Sequence, residues 1–202
     1  MRLVRMVLQG FKSFATRTVF EIKGDVCAIV GPNGCGKSNI VDAFLWALGE
    51  QRPKTLRASS MEEVIFAGTQ NIPPANFAQV TLVFDAPELK DTLKTRRLTI
   101  TRRLTRDGAS SYIVNDNRMR LKELRQLLAG TGLGTGFYAV IQQQRLDEVL
   151  ELSGQKRREL LEEAAGVSGW RASRQEALRN LKQAEAALDA VARDVAELRR
   201  QR

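Results

Sequence analysis

The chain has 202 residues, 43% of them hydrophobic, which is enough for the core of one domain with a short appendage. No apolar stretch approaches the roughly 20 residues that cross a bilayer, and the segment after Met1 alternates like a strand instead of forming a signal peptide. The absence of histidine excludes a histidine-ligated metal and a Ser-His-Asp centre, and Cys27 and Cys35 have neither a disulfide nor a zinc pattern. We therefore expect a soluble, cytoplasmic protein with no membrane segment.

The charge balance points to an anionic partner. The chain carries 32 Lys and Arg against 23 Asp and Glu, a formal net charge of +9. That excess favours DNA, although a basic, arginine-rich proteome would produce the same excess.

The first third of the chain predicts a hairpin, a buried strand and a helix. Residues 3–8 and 17–22 alternate between apolar and polar types, which predicts a β-hairpin at a sheet edge. The segment 25–31, DVCAIVG, is continuously apolar and ends in glycine, as is typical of a buried central strand. An amphipathic helix is predicted over 37–50, with Gly49 as its stop.

The middle of the chain predicts a sheet followed by a short helix. Three further strands are expected, over 77–85, 96–104 and 110–116. A helix follows over 120–130, closed by Gly130, and then a glycine-rich loop over 131–137. From Gln155 the composition favours helix.

The end of the chain has the pattern of a coiled coil. Its apolar positions alternate between spacings of four and three over Ala177, Leu181, Ala184, Leu188, Val191, Val195 and Leu198. About three heptads of this kind predict a coiled-coil strand whose partner strand lies outside this chain, with a lone surface helix as the alternative. The predicted division is a lobe over 1–167 and the start of a coiled-coil arm over 168–202.

The most specific motif is a phosphate-binding loop. The sequence GPNGCGKS, residues 31–38, satisfies G-x-x-x-x-G-K-[ST] and lies between an apolar segment and a helix, as that motif requires. Its glycines let backbone N–H groups point at a phosphate, Lys37 adds a charge on the β/γ oxygens, and the Ser38 hydroxyl is placed for Mg²⁺. The positive end of the helix faces the same anion. The predicted contacts to ATP are Gly31, Pro32, Asn33, Gly34, Cys35, Gly36, Lys37, Ser38 and Asn39.

A nucleoside triphosphatase also needs an acidic strand that helps hold Mg²⁺ and aims the water. The segment VTLVFDAPE contains Asp85 after an apolar run, but it follows the loop helix too soon, and Ala86 and Pro87 follow the aspartate where a catalytic glutamate is needed. Asp147 and Glu148 have no apolar strand before them. The segment 151–160, ELSGQKRREL, resembles the LSGGQ signature of ABC-type ATPases but lacks its second glycine. We therefore expect the chain to lack a complete catalytic centre.

Five blocks in order suggest a family: GFKSFA, GPNGCGKSNIVDAFLWALGEQRPKTLR, MEEVIFAG, TGLGTGFYAVIQQQRLDEVL and RRELLEEAAGV. With them, residues 2 to about 175 resemble the amino-terminal head segment of a bacterial SMC (structural maintenance of chromosomes) protein. The resemblance implies an α/β fold, half of an ABC-type P-loop ATPase head with a mixed sheet, an antiparallel edge sheet and packed helices. In that family the Walker B acid, the catalytic glutamate and the signature motif belong to the last segment of a long rod.

The resemblance also implies an activity and partners. In the full-length protein, ATP would clamp two heads together and hydrolysis would release them, coupled to DNA binding and chromosome condensation and segregation. The implied partners are the carboxy-terminal head segment of the same protein, a second SMC head in a homodimer, a kleisin subunit at the coiled-coil neck, and double-stranded DNA without sequence specificity. The implied location is the cytoplasm, on the nucleoid, and the segment alone is expected to be inactive.

Individual site residues follow from the same resemblance. Gln143 matches the Q-loop glutamine that reaches the magnesium, with Gln142 and Gln144 as alternatives. Arg57 matches an arginine near the phosphates. Lys12 and Ser13 match a loop that touches the nucleotide from the edge sheet, and Arg120 and Lys122 fall in a stretch associated with DNA. Arg120 and Lys122 belong to a basic cluster that also contains Arg102, Arg103, Arg106, Arg118 and Arg125. This cluster should bind DNA phosphates without selecting a base sequence.

Other functions are possible from the sequence. A related repair ATPase would share the head but end its coil in a zinc hook or a short loop. A nucleoside or nucleotide kinase also begins with a P-loop, but it explains neither the hairpin before the loop nor the coil. A non-catalytic interaction module is the fourth hypothesis.

Overall fold

The structure, a computed structural model, describes residues 1–89, 94–128, 131, 133, 153–155, 158, 174, 177–188 and 200. Its strands are β1 (Arg2–Gln9), β2 (Thr18–Glu21), β3 (Phe77–Asp85), β4 (Arg97–Thr105), β5 (Ser110–Val114) and β6 (Asn117–Met119). Its bounded α-helices are α1 (Lys37–Ala47) and α2 (Leu121–Leu128). Short 3-10 turns cover Pro53–Leu56, Glu62–Val64 and Pro87–Leu89.

The strands form one antiparallel sheet in the order β2-β1-β3-β4-β5-β6. The predicted amino-terminal hairpin is confirmed, and β2 lies at the sheet edge. The three predicted strands are confirmed as β3, β4 and β5. Strand β6 was not expected from the sequence, and it pairs with β5 across Asn115 and Asp116. Both residues have positive φ, 44° and 68°, as a tight hairpin turn requires and as Asn and Asp tolerate.

One face of the sheet carries the core. Buried and half-buried residues alternate along β3 and nearly so along β4, so that one face packs against α1. The core side chains of β3 are Ala78, Val80, Leu82 and Phe84. Helix α1 contributes Ala43, Leu45, Trp46 and Ala47, and the Trp46 ring lies 5.3 Å from that of Phe11.

The carboxyl end of α1 is closed by glycine, as predicted. Gly49 has φ 102°, its N–H donates to the carbonyl of Trp46 at 3.0 Å, and Glu50 N–H donates to the carbonyl of Leu45 at 3.1 Å. These two bonds are those of a Schellman motif, which needs the left-handed backbone of glycine. A Cβ at Gly49 would also lie 2.5 Å from Leu121 of α2, so glycine lets the two helices meet.

The prediction of a buried strand over 25–31 is wrong for this chain. The segment has no strand geometry, and Val26 and Val30 are 91% and 89% exposed. A central strand needs neighbours on both sides to satisfy its N–H and C=O groups. Among the described residues, no strand of the sheet pairs with this segment, so its apolar composition alone does not make it a strand.

Helix is present near the carboxyl end, and residues 177–188 are helical and exposed. This range includes Ala177, Leu181, Ala184 and Leu188 of the predicted coiled-coil pattern. Val191, Val195, Leu198 and most of the glycine-rich loop lie outside the described residues, and the division at 167/168 stays a prediction. In the part that the structure describes, no helix is long and apolar enough to cross a membrane.

Candidate nucleotide-binding site

The phosphate loop joins the exposed apolar segment to α1. Gly34 and Gly36 have φ of 83° and 98°, values that favour glycine, and α1 begins at Lys37 directly after them. The first turn of α1 contains no acidic residue. The positive end of the helix dipole is therefore available to an anion.

Lys37 lies across the loop. Its Nζ donates to the carbonyl oxygens of Gly31 at 2.6 Å and Pro32 at 2.7 Å. Both acceptors are neutral, whereas phosphate oxygens would form stronger, charge-assisted bonds with the same ammonium. The ammonium is thus placed where a phosphate group bound by the loop would attract it. Ser38 follows on the first turn of α1, with its side chain exposed.

Close approaches explain the loop glycines. A Cβ at Gly36 would lie 2.7 Å from Ser13 Oγ, and one at Gly31 would lie 2.9 Å from Cys35 Sγ. The Cys35 thiol therefore packs toward the start of the loop, and its Sγ lies 3.9 Å from the Lys37 ammonium.

The predicted pair Lys12 and Ser13 is beside the loop. Phe11 and Phe14 bond to each other through their backbones at 2.8 and 3.1 Å, which folds the residues between them into a tight turn with Lys12 at φ 47°. Ser13 Oγ accepts a hydrogen bond from Asn39 Nδ2 at 2.9 Å. The turn is thereby fixed to the first turn of α1.

The Asp42 carboxylate accepts hydrogen bonds from two predicted site residues, a role that was not expected from the sequence. Its Oδ2 accepts from Lys12 Nζ at 2.6 Å and from Arg57 Nη2 at 2.7 Å. Lys12 Nζ also donates to the carbonyl of Leu56. A sequence signal was present, because Asp42 lies three and four residues before the buried Leu45 and Trp46 and so shares their helix face.

The structure thus brings Lys12, Ser13 and Arg57 together along the first turns of α1, next to the phosphate loop. Arg57 has φ 51° and caps the 3-10 turn Pro53–Leu56. Gln143 and its alternatives Gln142 and Gln144 lie outside the described residues, so the predicted magnesium contact stays a prediction.

The predicted basic cluster is divided by the sheet. Arg118, Arg120 and Lys122 are exposed, and Glu123 Oε2 accepts the backbone N–H of Arg120 at 2.8 Å at the start of α2. Arg102, in contrast, is 3% exposed and cannot belong to a surface patch. Its Nη1 donates to the carbonyls of Trp46 at 2.8 Å and Glu50 at 2.7 Å, and burial lowers its pKa.

The remaining arginines of that cluster have intramolecular contacts. Arg103 stacks 4.1 Å from the centre of the Phe77 ring, and Arg106 donates to the carbonyls of Ala75 and Phe66. Arg125 Nη2 donates to the carbonyl of Gly49 at 3.3 Å. Because neighbouring residues of a strand point to opposite faces, Arg102 and Arg103 could not both face solvent on one side. Composition could not reveal this division.

Asp85 is engaged away from the loop. It ends β3, and its Oδ1 accepts from Arg96 Nε at 2.9 Å. The hydrogen bond from Arg96 holds the Asp85 pKa below its usual value. Within the described ranges, no group of three or more acidic or cysteine side chains could hold a metal ion.

A glycine-rich loop that opens an amphipathic helix, packed on a sheet, defines a P-loop nucleotide-binding lobe. The comparisons with known proteins agree and are more specific. The chain belongs to the RecF/RecN/SMC N terminal domain family, whose model matches residues 2–197.

Individual relatives are closely similar. The chain is 43% identical over 201 residues to the "Chromosome partition protein Smc" of Mycobacterium leprae (strain TN), with all of this chain but 17% of the relative covered. The chain therefore spans about a sixth of the length of the curated relatives that it matches.

Solved structures confirm the predicted fold class, a lobe of an SMC-type ATPase head. A Pyrococcus furiosus "Smc head domain with an extended coiled coil bound to the C-terminal domain of ScpA" is 34% identical, with a TM-score of 0.77 over 94% of this chain and 48% of that chain. Another structure, described as "Structural biochemistry of ATP-driven dimerization and DNA stimulated activation of SMC ATPases", is 32% identical. Its TM-score is 0.71, over 81% of this chain and 99% of that chain.

Proposed function

We propose that this chain is the ATP-binding half of the head of a chromosome-organising SMC ATPase. ATP would clamp two heads together and hydrolysis would release them, coupled to DNA binding and to chromosome condensation and segregation in the cytoplasm. The observation that carries the proposal is the loop at residues 31–38, with positive φ at Gly34 and Gly36 and the Lys37 ammonium across it. Membership in the SMC-containing family and the similarity to chromosome partition proteins support the choice of ATPase.

Different residues of the loop would bind different parts of magnesium-ATP. The backbone N–H groups between Gly31 and Ser38 would hold the β-phosphate, and the Lys37 ammonium would leave its two carbonyl acceptors for phosphate oxygens. Ser38, and Gln143 from outside the described ranges, would hold Mg²⁺, which supplies charge neutralisation between the β- and γ-phosphates. Asn39 would keep Ser13 against the loop through the bond already present.

An exposed apolar surface supports a second segment as partner. The exposed apolar side chains in the segment directly before the loop are Val26, Ile29 and Val30. Contiguous apolar exposure of this kind favours a protein interface over a free surface. The carboxy-terminal head segment would cover these side chains. In agreement, about half of the Pyrococcus furiosus head lies outside its match to this chain.

The assembled protein would have three further partners. The similarity to a structure described by ATP-driven dimerization and DNA-stimulated activation supports a second head and double-stranded DNA. The similarity to a head bound to ScpA supports a kleisin subunit.

ATP hydrolysis tests the proposal most directly. Residues 1–202 alone are expected to bind magnesium-ATP weakly and to hydrolyse it no faster than background, because the chain offers no credible Walker B pair. Adding the carboxy-terminal head segment should restore turnover, with a rate that rises faster than linearly in protein concentration because two heads must meet. Lys37→Ala should abolish it.

One result would contradict the proposal that this chain lacks the catalytic acid. Hydrolysis by residues 1–202 that is linear in concentration and absent in Lys37→Ala would mean that the chain contains its own acid. Asp85→Asn would then be the first variant to assay. Failure of both the assembled head and the fragment to bind ATP would contradict the whole proposal.

DNA binding has a charge-matched test. Duplex DNA should bind the assembled head without base preference and weaken steeply with salt, because neutralising phosphates releases counterions. Arg120→Glu with Lys122→Glu should lower the affinity and reduce the salt slope by roughly 1.8, about 0.9 for each phosphate that is no longer neutralised. Arg17→Glu with Lys23→Glu makes the same charge change beside β2, at the opposite sheet edge. Equal decreases in affinity for the two double variants would show that only net charge matters.

A further inference from the structure

Three segments of the chain meet at the carboxylate of Asp42, on the second turn of α1. Lys12 comes from the turn after β1, and Arg57 comes from the end of the 3-10 turn Pro53–Leu56. Both donate to the same oxygen, Oδ2, at 2.6 and 2.7 Å. The Asp42 side chain is 2% exposed, that of Lys12 12%, and that of Arg57 53%.

Lys12 alone meets the needs of the buried carboxylate. An ionised carboxylate out of water requires a charged partner, and Lys12 supplies one positive charge for one negative charge. The ammonium also donates to the carbonyl of Leu56, and the backbone N–H of Lys12 donates to the carbonyl of Val64 at 2.7 Å. Lys12 is therefore held on several sides by protein acceptors.

Arg57 carries the surplus charge of this cluster. Lys12, Asp42 and Arg57 together have a formal charge of +1, and two cations that share one oxygen repel each other. In the described part of the chain, only Nη2 of Arg57 has a hydrogen-bond partner, although a guanidinium has five N–H donors. An anion beside Arg57 would relieve the repulsion and use the remaining donors.

The backbone of Arg57 is also held in place. Its N–H donates to the carbonyl of Lys54 at 3.0 Å, and Ala58 N–H donates to that of Pro53 at 3.1 Å, which closes the 3-10 turn. The left-handed φ of 51° then directs the chain so that the guanidinium reaches Asp42. Because Asp42 belongs to the helix that follows the phosphate loop, this bond fixes Arg57 relative to the loop.

We propose that Asp42 is a positioning residue, which holds Arg57 by one donor and presents the others to the triphosphate. Lys12 neutralises the charge of Asp42, and it is not itself a nucleotide ligand. A guanidinium held in this way loses less conformational freedom when it binds phosphate. The proposal rests on the proposed function for the identity of the ligand.

A double-mutant cycle tests the proposal in the head assembled with its carboxy-terminal segment. The measured quantity is the affinity for a non-hydrolysable ATP analogue with Mg²⁺. Arg57→Ala should weaken binding roughly tenfold or more, the effect expected for a charged hydrogen bond. Asp42→Asn and Lys12→Met should each weaken it severalfold when Arg57 is present. In the Arg57→Ala background Asp42→Asn should have no further effect, because Asp42 acts through Arg57. Lys12→Met is compared in the Asp42→Asn, Arg57→Ala background, where no buried carboxylate is left without a charged partner, and it should have no effect there either. Arg52→Ala, in the same segment but bound to Glu50, is the matched control and should leave the affinity unchanged.

Several results would overturn the proposal. Additive decreases in affinity for Asp42→Asn and Arg57→Ala would show that Asp42 acts independently. Weaker binding by Lys12→Met in the Asp42→Asn, Arg57→Ala background would make Lys12 a direct ligand. If the melting temperature of the ligand-free protein shows that Asp42→Asn does not fold, Lys12→Met is used to test the proposal. In the Lys12→Met variant, Asp42 keeps Arg57 as its charged partner. Weaker binding by Lys37→Ala with no change in Arg57→Ala would reject this proposal and leave the proposed function standing. No effect of Lys37→Ala would reject the proposed function itself.

Discussion

The two ends of α1 are built in opposite ways. At the carboxyl end, Trp46 is fully buried, Gly49 closes the helix, and Arg102 donates to the carbonyls of Trp46 and Glu50. At the amino end, the phosphate loop and the segment before it are mostly exposed. One helix is therefore anchored at the end where it packs and exposed at the end that carries the phosphate loop.

Each end is incomplete in its own way. At the carboxyl end, Trp46 Nε1, Arg102 Nε and Tyr112 Oη are buried without a hydrogen-bond partner among the described residues. The Arg102 guanidinium lies between the two rings, 4.6 Å from the centre of Trp46 and 5.0 Å from that of Tyr112. At the amino end, no strand among the described residues pairs with the exposed segment 25–31. A ligand or segment is therefore expected at the amino end.

The largest expected effect is on stability at the carboxyl end. Trp46→Ala should lower the free energy of unfolding of residues 1–202 by about 3–5 kcal/mol. The substitution leaves a cavity against Phe11 and removes the aromatic ring over which the Arg102 guanidinium lies. Val30→Ala, at the exposed amino end, should change it by less than about 0.5 kcal/mol. Urea unfolding followed by circular dichroism measures both. Equal destabilisation by the two substitutions would show that the segment before the loop is packed after all.

A second pair of variants replaces one cation at each end by methionine. Arg102→Met should cost about 2 kcal/mol of unfolding free energy, because the buried carbonyls of Trp46 and Glu50 are deprived of a charged donor. Lys37→Met should leave stability within about 0.5 kcal/mol, since its acceptors lie in an exposed loop. The nucleotide affinity of the assembled head should show the reverse, with a large decrease only for Lys37→Met. A decrease in affinity for both variants would mean that the two ends are coupled through the helix.

The same contrast explains which parts of the fold were predictable from sequence. Alternation along β3 and β4 and the glycine after α1 depend on neighbours close in sequence, and those predictions are confirmed. Whether the apolar segment 25–31 forms a strand depends on which other strands pair with it, and an apolar run carries no information about its neighbours. The roles of Asp42 and Arg102 depend on which face of an element each occupies, and a charged residue on an apolar face was the only signal.

The smallest expected effect is a dependence on alkaline pH at the carboxyl end. Burial raises the pKa of Tyr112 above its usual 10.0, against the opposing effect of Arg102 and Arg125. The unfolded chain therefore loses the phenol proton first, and above about pH 10 it binds fewer protons than the folded chain. This contribution to stability is fully present below the unfolded pKa and is lost as pH rises through the folded pKa.

Tyr112→Phe isolates that contribution. The variant removes a buried hydroxyl that has no partner among the described residues, so at pH 7 the free energy of unfolding should stay the same or rise by less than about 1 kcal/mol. Between pH 9 and 11 the variant should lose less stability than the parent protein, measured by urea unfolding at each pH. Because the chain has 2 tyrosines, a Tyr138→Phe background leaves Tyr112 alone for an absorbance titration. An ordinary phenol titration in that background would show that Tyr112 is solvated and that the carboxyl end of α1 is more open than the structure describes.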